Sequence, residues 1–94
     1  MITVHFLPEF MLAAANMELD RASKATNELL RLMNVGYFIS QTGLDVAKVA
    51  KTHLMKAHEI LAMINIPDVK VLQRKVADSL AEQNMIIENI EKYI

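Results

Sequence analysis

Three histidines, His5, His53 and His58, are the side chains best suited to proton transfer or metal ligation in this sequence. His53 and His58 stand five positions apart, which sets them on different faces of a helix, whereas a helical metal pair needs a spacing of three or four. Glu59 adjoins His58, but no third ligand is spaced to join them. The carboxylates are scattered from Glu9 to Glu91, and no pair lies among residues that would raise a pKa for acid–base work. Cysteine is absent, which removes thiolate nucleophiles, thiolate metal sites and disulfides and fits a reducing cytosol. No phosphate-cradling glycine loop, nucleophile elbow or HExxH pair occurs. The expectation is a protein that is not an enzyme and uses no metal or cofactor. His53 reads as a polar group at a helix interface, and Lys48, Lys51 and Lys56, with no acid between them, as a solvated face.

The elements that carry these residues are marked by two prolines. Pro8 fits the first turn of a helix, where its missing N–H does no harm, and Glu9 suits the positive helix N-terminus. Pro67 disfavours helical geometry at Ile66, so one helix should end near Met63–Ile64 and another begin near Pro67. The β-branched and aromatic residues 1–7 read as an extended apolar arm, and residues 8–94 as one helical domain.

Between the prolines runs a seven-residue apolar repeat. One row is Ala15, Ala22, Leu29, Gly36, Gly43, Ala50, Ala57 and Ile64. A second includes Leu12, Leu19, Met33, Ala47, Leu54 and Leu61. Rows three and four residues apart make a coiled-coil-like stripe. The pattern predicts one amphipathic helix over about 9–64, followed by a shorter helix over about 68–93 in a helical hairpin. The alternative is a three-helix bundle with a break near 35–43. There Asn34-Val35-Gly36 resembles a left-handed helix end, and Thr42 with Asp45 resembles a new N-cap.

Six of the eight members of the first row are Ala or Gly. Small residues at a seam let backbones approach closely, so Ala15, Ala22, Gly36, Gly43, Ala50 and Ala57 are expected at a close helix contact. The last helix carries Val69, Leu72, Val76, Leu80, Gln83, Ile87, Ile90 and Ile94 on one stripe, which Gln83 interrupts. Being half the length of the long helix, it would leave apolar surface uncovered. Leu30, Met33, Tyr37, Phe38, Leu44 and Val49 are therefore expected on an apolar surface or in self-association, as a dimer or tetramer. Tyr37-Phe38-Ile39, beside Met33 and Val35, concentrates this character, and seven methionines add adaptable apolar surface.

Composition supports an all-α class. Hydrophobic residues make up 53% of 94, with only two glycines and two prolines, which argues against both disorder and a turn-rich β fold. A formal net charge of -1 predicts no nucleic-acid partner. The longest uncharged stretch after the N-terminal segment, Leu32–Leu44, contains six polar or glycine residues, too many for a transmembrane segment. The N-terminal stretch lacks a cationic leader, and no cleaved signal peptide is expected.

The segment Ile66-Pro67-Asp68-Val69-Lys70-Val71-Leu72-Gln73 resembles the P-x-V-x-x-L-Q segment of phasins, small helical proteins that coat polyhydroxyalkanoate granules. An Ala-rich amphipathic helix, Ala47 through Met63 with Lys48, Lys51 and Lys56, precedes it in the same order, and the resemblance covers about residues 25–94. It implies a cytoplasmic, granule-associated amphiphile that binds a polyester surface through an apolar helical face and limits coalescence. The competing expectation is a self-associating helical adaptor or secretion-type hairpin protein with no polymer binding.

Overall fold

A computed structural model describes residues 8–94; the arm assigned to residues 1–7 lies outside the described residues. The chain forms three helices, α1 (Pro8–Asn34), α2 (Gln41–Ala62) and α3 (Pro67–Tyr93), with no strand among the described residues. The continuous helix over 9–64 is therefore replaced by the three-helix alternative.

The break has a definite mechanism. Gly36 adopts φ 83°, the left-handed conformation in which glycine pays no Cβ penalty. Its N–H donates to the Met33 carbonyl (3.3 Å), and the Tyr37 N–H donates to the Leu32 carbonyl (2.8 Å). This is a Schellman end, which satisfies carbonyls that the helix leaves open. The next helix is capped by Ser40 rather than Thr42. Ser40 is extended (φ -164°, ψ 168°), and its Oγ accepts from the Gly43 N–H at 2.9 Å while donating to the Tyr37 carbonyl at 2.7 Å. Gly43 must be small here: a Cβ at this position would lie 2.0 Å from the Phe38 carbonyl oxygen.

The second boundary falls where the prolines place it. α2 ends at Ala62, and Met63 and Ile64 close a tight turn onto the Ile60 and Leu61 carbonyls, both at 3.1 Å. Ile66 is extended (φ -130°, ψ 131°), as the residue before a proline should be, and Pro67 opens α3.

α2 packs against both other helices. No Cα of α1 comes within 8 Å of one in α3, so these two helices are the more widely spaced pair. The described residues form a rod, with principal extents of 53 × 19 × 17 Å. With lengths of 27, 22 and 27 residues, the helices cover one another along most of their length. The length mismatch that argued for a second subunit therefore disappears.

The core is in two parts. Ala15, Ala22, Leu54, Ala57, Leu61, Ile64, Val69 and Val76 form one cluster toward the α2–α3 connection. Leu29, Leu44, Ala47, Ile87 and Ile90 form the other beside the α1–α2 turn. On α3, Gln83 falls between the two and is itself buried.

Candidate functional site

The groups capable of chemistry are dispersed by the fold. His5 lies outside the described residues. His53 faces α1, where its Nδ1 lies 2.6 Å from Glu18 Oε1 in a half-buried interhelical pair, the interface role expected of it. His58 is half-buried and Glu59 exposed. Among the described residues no three metal-ligating side chains gather. Lys48 stands 3.9 Å from Glu91 on α3, so one member of the lysine face links two helices.

The pair Glu18–His53 was not legible from sequence, because its partners lie 35 residues apart and meet only through the hairpin. The Glu18 carboxyl is held below its ordinary pKa. The His53 hydrogen bond is the leading cause, aided by the charges of Arg21, His53 and Lys56 and opposed by partial desolvation. The pair also fixes the antiparallel register. By the common helical rise it sets Ala15 about level with Ala57, and Ala22 with Ala50.

Those four alanines are buried, between 0% and 3% exposed, and Gly43 is buried with them. Gly36 departs from the expected contact set: it is exposed, with no atom within 4 Å of a Cβ built on it. Its place in the row belongs to the turn rather than to a seam. The close approach at Gly43 is made to the Phe38 backbone of the same turn.

The expected apolar surface divides similarly. Leu30 (52%), Met33 (51%), Tyr37 (64%) and Val49 (49%) are exposed. Phe38 is half-buried against the Leu29–Ile90 cluster, and Leu44, at 5% exposure, belongs to that cluster's interior. Leu44 is displaced from the expected surface because the new helix begins at Gln41 and turns this position inward, beside Gly43 and Ala47.

Among the described residues, seven of the fifteen exposed large hydrophobics gather at one end of the rod, while others, such as Phe10, Met63, Ile66 and Val71, lie toward the opposite end. Leu30 and Met33 on the last turns of α1, and Val35, Tyr37 and Ile39 in the connection, surround the α1–α2 turn. The C-terminus of α3 reaches the same end, because Ile87 and Ile90 pack with Leu29 and Leu44. It adds exposed Tyr93 and Ile94, which the periodicity did not single out for a surface. At the flank, Arg31 forks onto Glu28 with contacts of 2.9 and 2.6 Å, which lowers the Glu28 pKa and raises that of Arg31. Arg31 is thus paired beside this apolar end, and Lys92 Nζ stands 5.7 Å from the centre of the Tyr93 ring.

The segment that resembles phasins opens α3: Pro67 occupies the first turn, Val69 is buried, and Leu72 and Gln73 are half-buried. No helix among the described residues is long and apolar enough to cross a membrane. Comparison with family models, curated proteins and solved structures finds no match to this chain.

Proposed function

We propose that this protein is a non-enzymatic, phasin-like coat protein that binds the surface of polyhydroxyalkanoate granules in the cytoplasm and self-associates. The observation that carries the reading is the exposed apolar group at the α1–α2 turn, centred on Met33, Val35 and Tyr37. A water–polyester boundary is an apolar surface, and burying such side chains there yields about 25 cal/mol per Å² of apolar area. The same group can pair with a second copy in solution. The contact is thus drawn at the end of the bundle, where exposed apolar residues of α1, the α1–α2 turn and α3 come together.

A second reading, a helical adaptor without polymer binding, is favoured by the compactness of that apolar end, which matches a protein-sized contact better than a broad interface.

Partition onto polyester particles tests the proposal. The double change Met33→Glu, Tyr37→Glu places charges at two exposed positions that the fold does not need, and should lower partition at least tenfold. The change His58→Ala, Glu59→Ala should leave it unaltered. Partition that survives the first pair and is lost with the second would refute the reading. A wild-type protein that never partitions would leave the adaptor.

A further inference from the structure

Both ends of the rod carry exposed apolar residues, but they differ in charge. At the end away from the α1–α2 turn, Met63, Ile66 and Val71 are exposed around the α2–α3 connection. Phe10, exposed on the first turn of α1, belongs to the same end, because its neighbour Met11 packs against the cluster that holds Ile64 and Val69. Cations stand beside this group. Lys70, Arg74 and Lys75 are exposed on the first turns of α3, with no acid between Asp68 and Asp78. Helical spacing sets Arg74 one turn beyond Lys70, and Lys75 one turn beyond Val71, so the valine lies between cations. None of the three forms an ion pair among the described residues. Of the acids nearby, Glu9 and Asp68 sit in the first turns of α1 and α3, where the helix N-terminus offsets their charge, which leaves Glu59. At the other end the balance is reversed: Arg31 is held by Glu28, and Glu88 and Glu91 outnumber Lys92 on the last turns of α3.

We propose that the α2–α3 end is a docking surface for an anionic lipid bilayer, met from one side and not crossed. Met63, Ile66 and Val71 enter the boundary between headgroups and acyl chains, while Lys70, Arg74 and Lys75 lie among the anionic headgroups. The long stems of lysine and arginine keep the charges at headgroup level while the valine between them goes deeper. Apolar side chains and free cations share one short surface here. A bilayer with anionic headgroups satisfies both, whereas an acidic peptide satisfies the cations alone. Each cation near such a surface strengthens binding roughly fivefold, so three together outweigh the single Glu59. No helix among the described residues is long and apolar enough to span a bilayer, and the contact is accordingly peripheral. The surface lies opposite the turn assigned to the polyester and stands without the granule reading.

The test is co-sedimentation of the full chain with vesicles of phosphatidylcholine alone and of phosphatidylcholine mixed equally with phosphatidylglycerol. The chain should bind the mixed vesicles about tenfold or more tighter than the neutral ones, and the advantage should shrink as salt is raised. The triple change Lys70→Gln, Arg74→Gln, Lys75→Gln removes exposed charges that make no ion pair. It should weaken binding about twentyfold or more, with the far-UV spectrum unchanged. Met63→Ser with Val71→Ser should weaken it about fivefold, whereas Met33→Ser with Tyr37→Ser, at the other end, should leave it unaltered. If the triple variant fails to fold, the lipid and salt dependence of the wild type and the Met63→Ser, Val71→Ser variant decide. Absence of binding to the mixed vesicles, or equal binding to both compositions, overturns the proposal. A folded triple variant that binds like the wild type, or a loss produced by the Met33 and Tyr37 changes alone, overturns it equally. Soluble poly-glutamate that binds as tightly as the mixed vesicles, and keeps binding Met63→Ser with Val71→Ser undiminished, would make the partner an acidic protein and overturn it as well. Partition onto polyester is read separately, so failure of one reading is distinguished from failure of the other.

Discussion

Glu18 and His53 tie the first two helices together across a gap of 35 residues, and protonation of Glu18 makes the hairpin sensitive to acid. The folded-state pKa of Glu18 lies below the ordinary 4.5. Its contribution to stability is therefore fully present above 4.5 and is lost as pH falls through the lowered value. Urea denaturation should show Glu18→Gln less stable than wild type at pH 7, with the gap closing once the medium is more acidic than that lowered pKa. A gap that persists unchanged at the acid end would mean that the carboxylate charge is irrelevant. The two glycines separate two different uses of a missing side chain. At Gly36 the backbone is left-handed but the space is open, so Gly36→Ala should cost about 1–2 kcal/mol from conformation alone. At Gly43 the conformation is helical but a Cβ would collide with the Phe38 carbonyl, which is backbone and cannot rotate away. Gly43→Ala should consequently be the more damaging change in the same denaturation measurement, with amide shifts centred on Phe38–Ser40.

At the scale of elements, the close α1–α2 contact depends on alanine at the positions that face each other. Ala50 is 0% exposed. Ala50→Leu should overpack the seam and cost about 1–3 kcal/mol, read as a lowered melting temperature. An unchanged or raised value would show that the helices are not closely apposed there. The element boundaries divide according to how local their causes are. Pro67 acts on its own neighbour, so the α2–α3 connection was legible from Ile66-Pro67-Asp68. The α1–α2 break is written in Gly36 and in capping residues, but two serviceable caps stand close together, Ser40 with Gly43 and Thr42 with Asp45. Only the Schellman turn decides between them, since it delivers the Tyr37 carbonyl to the Ser40 hydroxyl. The seven-residue count also passes straight through the turn. Leu29 and Gly43 are both buried and two heptads apart, although the chain reverses between them. Each helix must turn its own seam toward the other, and a connection of this length happens to keep the count. Periodicity therefore reported the two seams correctly but could not report the reversal. For the same reason Tyr37 and Met33 were legible as surface, whereas Leu44 and Gly36 were not, because their environments depend on where α2 starts.

At the scale of the whole molecule, α2 packs against both α1 and α3, and two apolar clusters run along the bundle. The alanine seam that draws α1 and α2 together has a thermal consequence. Of the sixteen buried hydrophobic residues among those described, six are alanine, which brings little apolar area out of contact with water. The heat capacity released on unfolding scales with that area, at about 12–15 cal/mol/K per residue for ordinary domains. This chain should fall below that range in calorimetry, and its stability should vary gently with temperature. A molecule of this kind loses less of its stability on cooling than one held by large side chains, because less of its cohesion comes from the ordering of water. Its stability curve should accordingly be shallow, and its working range in temperature wide.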